Sequence, residues 1–148
     1  MRWIFLIVPA LLLAAPCSKC ELNRAEMRCN YYVAKEGDVS KASFCKEYAE
    51  YLDSTKVYGK AAWYYLLGLE PQKALEAAKK AVEMGEGYAW EYMGDAYLIL
   101  GDKAAAKEAY GEFKKAVENR AFFTSRSFGI LEKLYESFDA EEAKRLME

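Results

Sequence analysis

The stretch Tyr92–Tyr110, YMGDAYLILGDKAAAKEAY, decides the fold. Apolar residues recur at steps of three and four on both sides of Gly101, as they do along two amphipathic helices, and Gly101-Asp102 interrupts them. Gly101 suits the left-handed end of one helix and Asp102 the N-cap of the next. Small residues at fixed helix positions, here Gly94 and Ala106, mean that another backbone comes close. The two halves are therefore expected to fold back on each other, with Gly94 and Ala106 at matching heights. Trp90, Tyr97, Tyr110 and Phe113 then fill the wider gaps beside that contact.

Outward from this hairpin the same punctuation continues. Breaks at Gly37-Asp38, Gly68 to Pro71 and Gly85 to Gly87 cut residues 21–120 into helices of about 14 to 18 residues. Pro71 fits the first turn of a helix, where its missing N–H costs nothing. Asp38 repeats the cap position of Asp102. Sliding the chain along itself by 32 aligns Ala42, Ala74 and Ala106, then Ala49, Ala81 and Phe113, then Val33, Tyr65 and Tyr97. Gly37 and Gly101 stand 64 apart, twice that step. A period in this range marks stacked helical hairpins.

Trp90, Met93, Gly94, Tyr97, Gly101, Ala106 and Tyr110 carry a family resemblance. In type and spacing they resemble the tetratricopeptide (TPR) repeat: a large residue, a Leu-Gly-like pair, an aromatic, a turn, then Ala and an aromatic. Residues 87–119 match it best, 55–86 follow with Ala62, Tyr65, Ala74 and Ala81, and 22–54 match least. The resemblance implies an all-α fold of stacked antiparallel hairpins, a right-handed α-solenoid with three repeats over residues 21–120. After Arg120 the frame is lost. Leu131, Leu134, Tyr135 and Phe138 form a helical stripe, and Asp139 to Glu142 reads as a capping box. Residues 121–148 are expected to form an irregular helical cap over the open end of the stack, with Phe122, Phe123 and Phe128 packed beneath it.

The first residues read differently. MRWIFLIVPALLLAAPC has a basic start, a short apolar middle and small residues at its end, the pattern of a secretory signal peptide over residues 1–17. It also resembles a lipoprotein leader, with Cys17 as the residue that would carry the lipid and the only route to a membrane. An exported protein, periplasmic, envelope-associated or secreted, is expected. Its cysteines are then disulfide candidates. In the repeat frame Cys29 and Cys45 face each other across the first hairpin, so a Cys29–Cys45 bridge is expected. Cys17-Ser18-Lys19-Cys20 lacks the histidine that haem attachment needs, and a redox pair of this spacing belongs to an alternating strand–helix fold.

Composition narrows the function. The 148 residues include 53% hydrophobic and 30% charged ones, enough for a domain with a core. A net charge of −2 argues against nucleic acid as the main partner. The chain has no histidine, so the commonest general base, metal ligand and nucleophile activator is missing. No catalytic, metal or cofactor site is predicted.

In such a stack, the first helix of each hairpin lines the inner face. The side of the third repeat not used for packing carries Tyr88, Glu91, Tyr92 and Asp95. One repeat earlier the equivalent positions are Lys56, Gly59, Lys60 and Trp63, and two earlier Arg24, Met27, Arg28 and Tyr31. Rings with basic residues at one end suit an extended peptide or partner helix with acidic groups. The clamp by which some tetratricopeptide domains hold C-terminal carboxylates is not expected, because Met27, Tyr31 and Tyr92 occupy its positions. The expected function is a noncatalytic adaptor or scaffold for another protein. The alternatives are a thiol-disulfide module using Cys17 and Cys20, and self-association through the Phe-rich end.

Overall fold

The computed structural model describes residues 18–118 and 120–148, with side chains for all of these except 18, 120–123 and 125. The signal peptide and the lipid site at Cys17 lie outside the described residues. So do the side chains of Phe122 and Phe123. Within the described residues the chain is all-helical, with no strand.

The helices are α1 (Ser18–Arg28), α2 (Ala42–Ser54), α3 (Tyr58–Leu67), α4 (Pro71–Glu83), α5 (Ala89–Ile99), α6 (Lys103–Ala116), α7 (Arg120–Leu134) and α8 (Ala140–Met147). From α1 the chain continues without a break through a π-helical segment, Cys29–Lys35. Asp38 then caps a short 3₁₀ turn by accepting from Ser40 N at 3.0 Å, and Asp102 caps α6 through Ala105 N at 3.0 Å. Pro71 opens α4.

The hairpin turns share one conformation. Gly37, Leu69 and Gly101, 32 residues apart, all have left-handed backbones, with φ of 73°, 58° and 88°. After each turn an amide reaches back to close the preceding helix. Glu70 N donates to Tyr65 O and Asp102 N to Tyr97 O, both at 2.9 Å and five residues away. Asp38 N reaches six residues back, to Tyr32 O at 2.8 Å. The π-helical segment holds one residue more per turn than an α-helix, which explains the difference.

Each of α2 to α6 packs along the helix that precedes it. In addition α3 lies beside the π-helical segment on one flank and α5 on the other, so the odd-numbered helices form one layer. The central helix α3 is buried at Gly59, Ala61, Ala62, Tyr64, Tyr65, Leu66 and Leu67, and is apolar nearly all round as its position requires. Gly68 is needed for close approach: a Cβ there would lie 3.0 Å from Lys46 N of α2. The bridge expected between Cys29 and Cys45 is present and ties the π-helical segment to α2.

One expectation is corrected. The small residue at Gly94 makes room for a ring, not for the backbone at Ala106: a Cβ there would fall 2.5 Å from two ring carbons of Tyr110. The C-terminal helices pack differently from those before them. α8 packs on α6, but α7 turns back across the odd-numbered layer to α3 and the π-helical segment. Tyr135, just past its end, donates its hydroxyl hydrogen to Leu66 O at 2.5 Å, and Lys133 Cβ of α7 lies 3.9 Å from the place of a Cβ on Gly37. Phe128 and Phe138 are buried beneath this pair, their rings 5.6 Å apart.

Candidate functional site

The residues singled out for the inner face fall into three groups. Arg24 and Arg28 are exposed on α1, where Arg28 lies over the Phe44 ring at 5.0 Å. Tyr31, 52% exposed, stands apart on the π-helical segment, edge-on to Tyr32 and beneath Lys35. Lys56 is exposed, but it sits in the turn before α3 with φ of 63°, so it is not on the helix face assigned to it.

The second group is a polar cluster between α1, α2 and α3. Lys60 Nζ bonds Glu26 Oε1 at 2.8 Å and Tyr48 Oη at 2.9 Å, and lies over the Tyr48 and Tyr64 rings. Tyr64 Oη donates to Glu26 at 3.2 Å and accepts from Asn30 Nδ2 at 3.0 Å. Burial pushes the Tyr64 phenol up to about 12; the Asn30 bond works against it and the charge of Glu26 adds to it. Burial disfavours the charge on Lys60, but Glu26 and Tyr48 more than compensate and hold its pKa above the usual lysine value. Lys60 is thus a fixed cation, its side chain 44% exposed.

The third group is a ring ladder. Trp63 of α3 stacks on Tyr92 of α5 with centroids 5.6 Å apart, and Tyr88 meets Tyr92 edge-on at 6.0 Å. Tyr88, at the start of α5, is 40% exposed and donates its hydroxyl hydrogen to Glu86. Gly59 accommodates that hydroxyl, since a Cβ there would collide with it. Trp63 and Tyr92 are half-buried. Rings with one apolar face and a polar edge in reach of solvent suit partner binding.

Asp95 belongs to none of these. Predicted on the open face, it is 0% exposed, because α5 turns it toward α6, where Tyr110 Oη donates to its Oδ1 at 2.7 Å. Its Oδ2 has no partner. One helical turn earlier Glu91, also predicted on the open face, is 3% exposed and accepts from the Ser127 hydroxyl of α7. Burial raises both acids: Glu91 is pushed up to about 7, against the Ser127 bond, and Asp95 stands well above the ordinary carboxylate range, with Glu91 adding to its shift. Sequence reading missed this pair as a unit. The available signal was that Glu91 and Asp95 are the only charges on the otherwise apolar α5.

Among the described residues no group of acids or cysteines is arranged to hold a metal, and no helix is long and apolar enough to cross a membrane. Cys20 is in a disulfide; its neighbour in the proposed redox pair, Cys17, lies outside the described residues. Comparison with protein-family models, with curated proteins and with solved structures finds no match.

Proposed function

We propose that the chain is a TPR-like α-solenoid that works as a noncatalytic adaptor, holding a peptide or helix of a partner protein against its odd-numbered helices. The ring ladder Trp63–Tyr92–Tyr88 beside the fixed cation of Lys60 carries this reading. It offers apolar contact area at small entropic cost, and Lys60, which is paired with Glu26, keeps 44% of its side chain exposed for an acidic group on the partner. The solenoid reading draws support from the left-handed turns spaced by 32 residues and from the neighbour-to-neighbour packing of α2 to α6. Export to the periplasm, the envelope or the exterior is part of the proposal, and the Cys29–Cys45 bridge favours such an oxidising compartment. Self-association through the C-terminal end would have to do without Phe128 and Phe138, which face inward.

Photo-crosslinking tests the proposal. A crosslinker in place of Tyr88 should capture a protein partner in the source cell, whereas one in place of Glu76, exposed on α4, should not. Trp63→Ala should lower the yield from the Tyr88 position at least several-fold with the melting transition retained. Equal capture from both positions would remove the ring ladder as the binding face. The rival redox reading requires Cys17 and Cys20, so a Cys17→Ser/Cys20→Ser variant that keeps full capture would argue against it.

A further inference from the structure

Two polar groups of the ring ladder are left open, and both can donate. The indole Nε1–H of Trp63 and the hydroxyl of Tyr92 have no hydrogen-bond partner among the described residues, although both rings are half-buried. The indole can only donate, and burial keeps the Tyr92 phenol protonated. Tyr88 directs its own hydrogen to Glu86, and Lys60 uses two of its three on Glu26 and Tyr48. The ladder therefore presents ring surface, an indole N–H, a phenol O–H and one further ammonium N–H.

A ligand that fits must bring acceptors and apolar faces without amide hydrogens that need a partner. An α-helix does not, because its carbonyls are bonded along its own backbone except in the last turn. A β-strand brings an amide hydrogen with nearly every residue, and among the described residues no strand edge exists to receive them. A proline-rich segment does fit. Proline has no N–H, and its backbone settles into the polyproline II helix, which leaves its carbonyls unbonded. Its side chain is apolar and docks on aromatic rings. The spacing agrees as well. Trp63 and Tyr92 are 5.6 Å apart and Tyr92 and Tyr88 6.0 Å, so the outer rings lie within about 12 Å, and one polyproline II turn rises about 9 Å. Lys60, three residues before Trp63 on α3 and 44% exposed, adds a positive charge on the α1 side of the ladder.

We infer that the ladder Trp63–Tyr92–Tyr88 holds a proline-rich segment of a partner protein in the polyproline II form. The Trp63 indole and the Tyr92 hydroxyl donate to its carbonyls, and Lys60 meets an acidic residue beside the prolines. This inference rests on the adaptor reading and narrows its peptide or helix to one kind of peptide.

Titration of the 15N-labelled full chain, followed in the tryptophan indole N–H resonances, tests it. The probe is a blocked oligoproline with a glutamate at each end. A Gly/Ser peptide and an Ala-rich helical peptide of the same length and charge are the controls, and cellohexaose represents a sugar that stacks on rings. The proline peptide should bind roughly 10-fold more tightly than either control peptide. It should move the Trp63 resonance, identified by its loss in Trp63→Phe, and leave that of Trp90, which is outside the ladder, in place. Trp63→Phe and Tyr92→Phe keep an aromatic ring and remove the donor, so each should weaken binding several-fold with the melting transition retained. Lys60→Gln should reduce the preference for the glutamate-flanked peptide over a plain oligoproline. Equal affinity for the proline and Gly/Ser peptides would overturn the inference, as would tighter binding of the helical peptide or of cellohexaose, or a Trp63 resonance that does not respond. If a crosslinker at Tyr88 captures a partner while the proline peptide shows no preference, the adaptor reading stands and the proline assignment alone fails.

Discussion

The hydroxyl of Tyr110 donates to Asp95 Oδ1 at 2.7 Å while the ring that carries it lies across Gly94, so one α6 side chain accounts for two neighbouring positions on α5. Gly94→Ala should therefore destabilise the protein by about 1–3 kcal/mol, because the new methyl meets ring carbons at 2.5 Å and outweighs the gain in helix propensity. Gly94→Leu should be worse. Thermal melting checks both, and an alanine variant as stable as the parent would contradict this packing.

Tyr110→Phe should cost about 1–3 kcal/mol, since it leaves the second oxygen of a buried Asp95 without a partner where one already lacks it. In a Tyr110→Phe/Asp95→Leu pair the loss should be smaller than the sum of the single losses. Denaturant titration of the double-mutant cycle measures that coupling.

Stability should fall as pH rises between 4.5 and 7. Glu91 is raised from 4.5 to about 7 in the folded protein, so across that window the folded state holds more protons than the unfolded one. Its contribution is fully present below 4.5 and is lost on rising through 7, a span of about 3 kcal/mol. Glu26 and Glu70 act oppositely. Burial opposes the lowering of Glu26, which Lys60 and Tyr48 bring about, and a bond from Lys46 lowers Glu70, so both lose their stabilising effect as pH falls below 4.5. Urea unfolding at a series of pH values should give a slope between 4.5 and 7 that Glu91→Gln reduces, the remainder belonging to Asp95, which burial also raises.

Reduction of the Cys29–Cys45 bridge should lower stability by about 3 kcal/mol, the loop-closure value for a separation of 16 residues. The loss should fall on the first hairpin. Exchange in α2 should rise before exchange in α5, and uniform loosening would show that the bridge acts on the whole stack.

Leu69→Gly should leave stability unchanged or raise it by up to about 1 kcal/mol. Leu69 has φ of 58° at the position where the other two turns carry Gly37 and Gly101, and a left-handed backbone strains a residue with a Cβ. Melting of the variant is the check; a clear loss would mean that the partly exposed leucine side chain contributes more than its backbone strain costs.

Much of the fold could be read directly because its signals are local. Gly37, Gly101, Asp38, Asp102 and Pro71 mark turns and caps by their own backbone chemistry, and each stands where such a residue is needed. The capping box at Asp139 was half legible. Asp139 accepts from Glu141 N and Glu142 N, but the Glu142 carboxylate pairs with Lys103 and Arg145. The π-helical turn at Cys29–Lys35 has no compositional mark.

The sequence by itself determined the helices, their 32-residue beat and the facing cysteines, because periodicity, turn chemistry and hairpin register depend on residues close along the chain. Tertiary structure decided which faces stay open. Asp95 looks like a surface acid from its helical position, yet Tyr110, 15 residues on, encloses it, and Ser127, 36 residues from Glu91, seals the acid beside it. Burial is set by whatever packs on a face, and helix α7 comes from outside the repeating part of the chain.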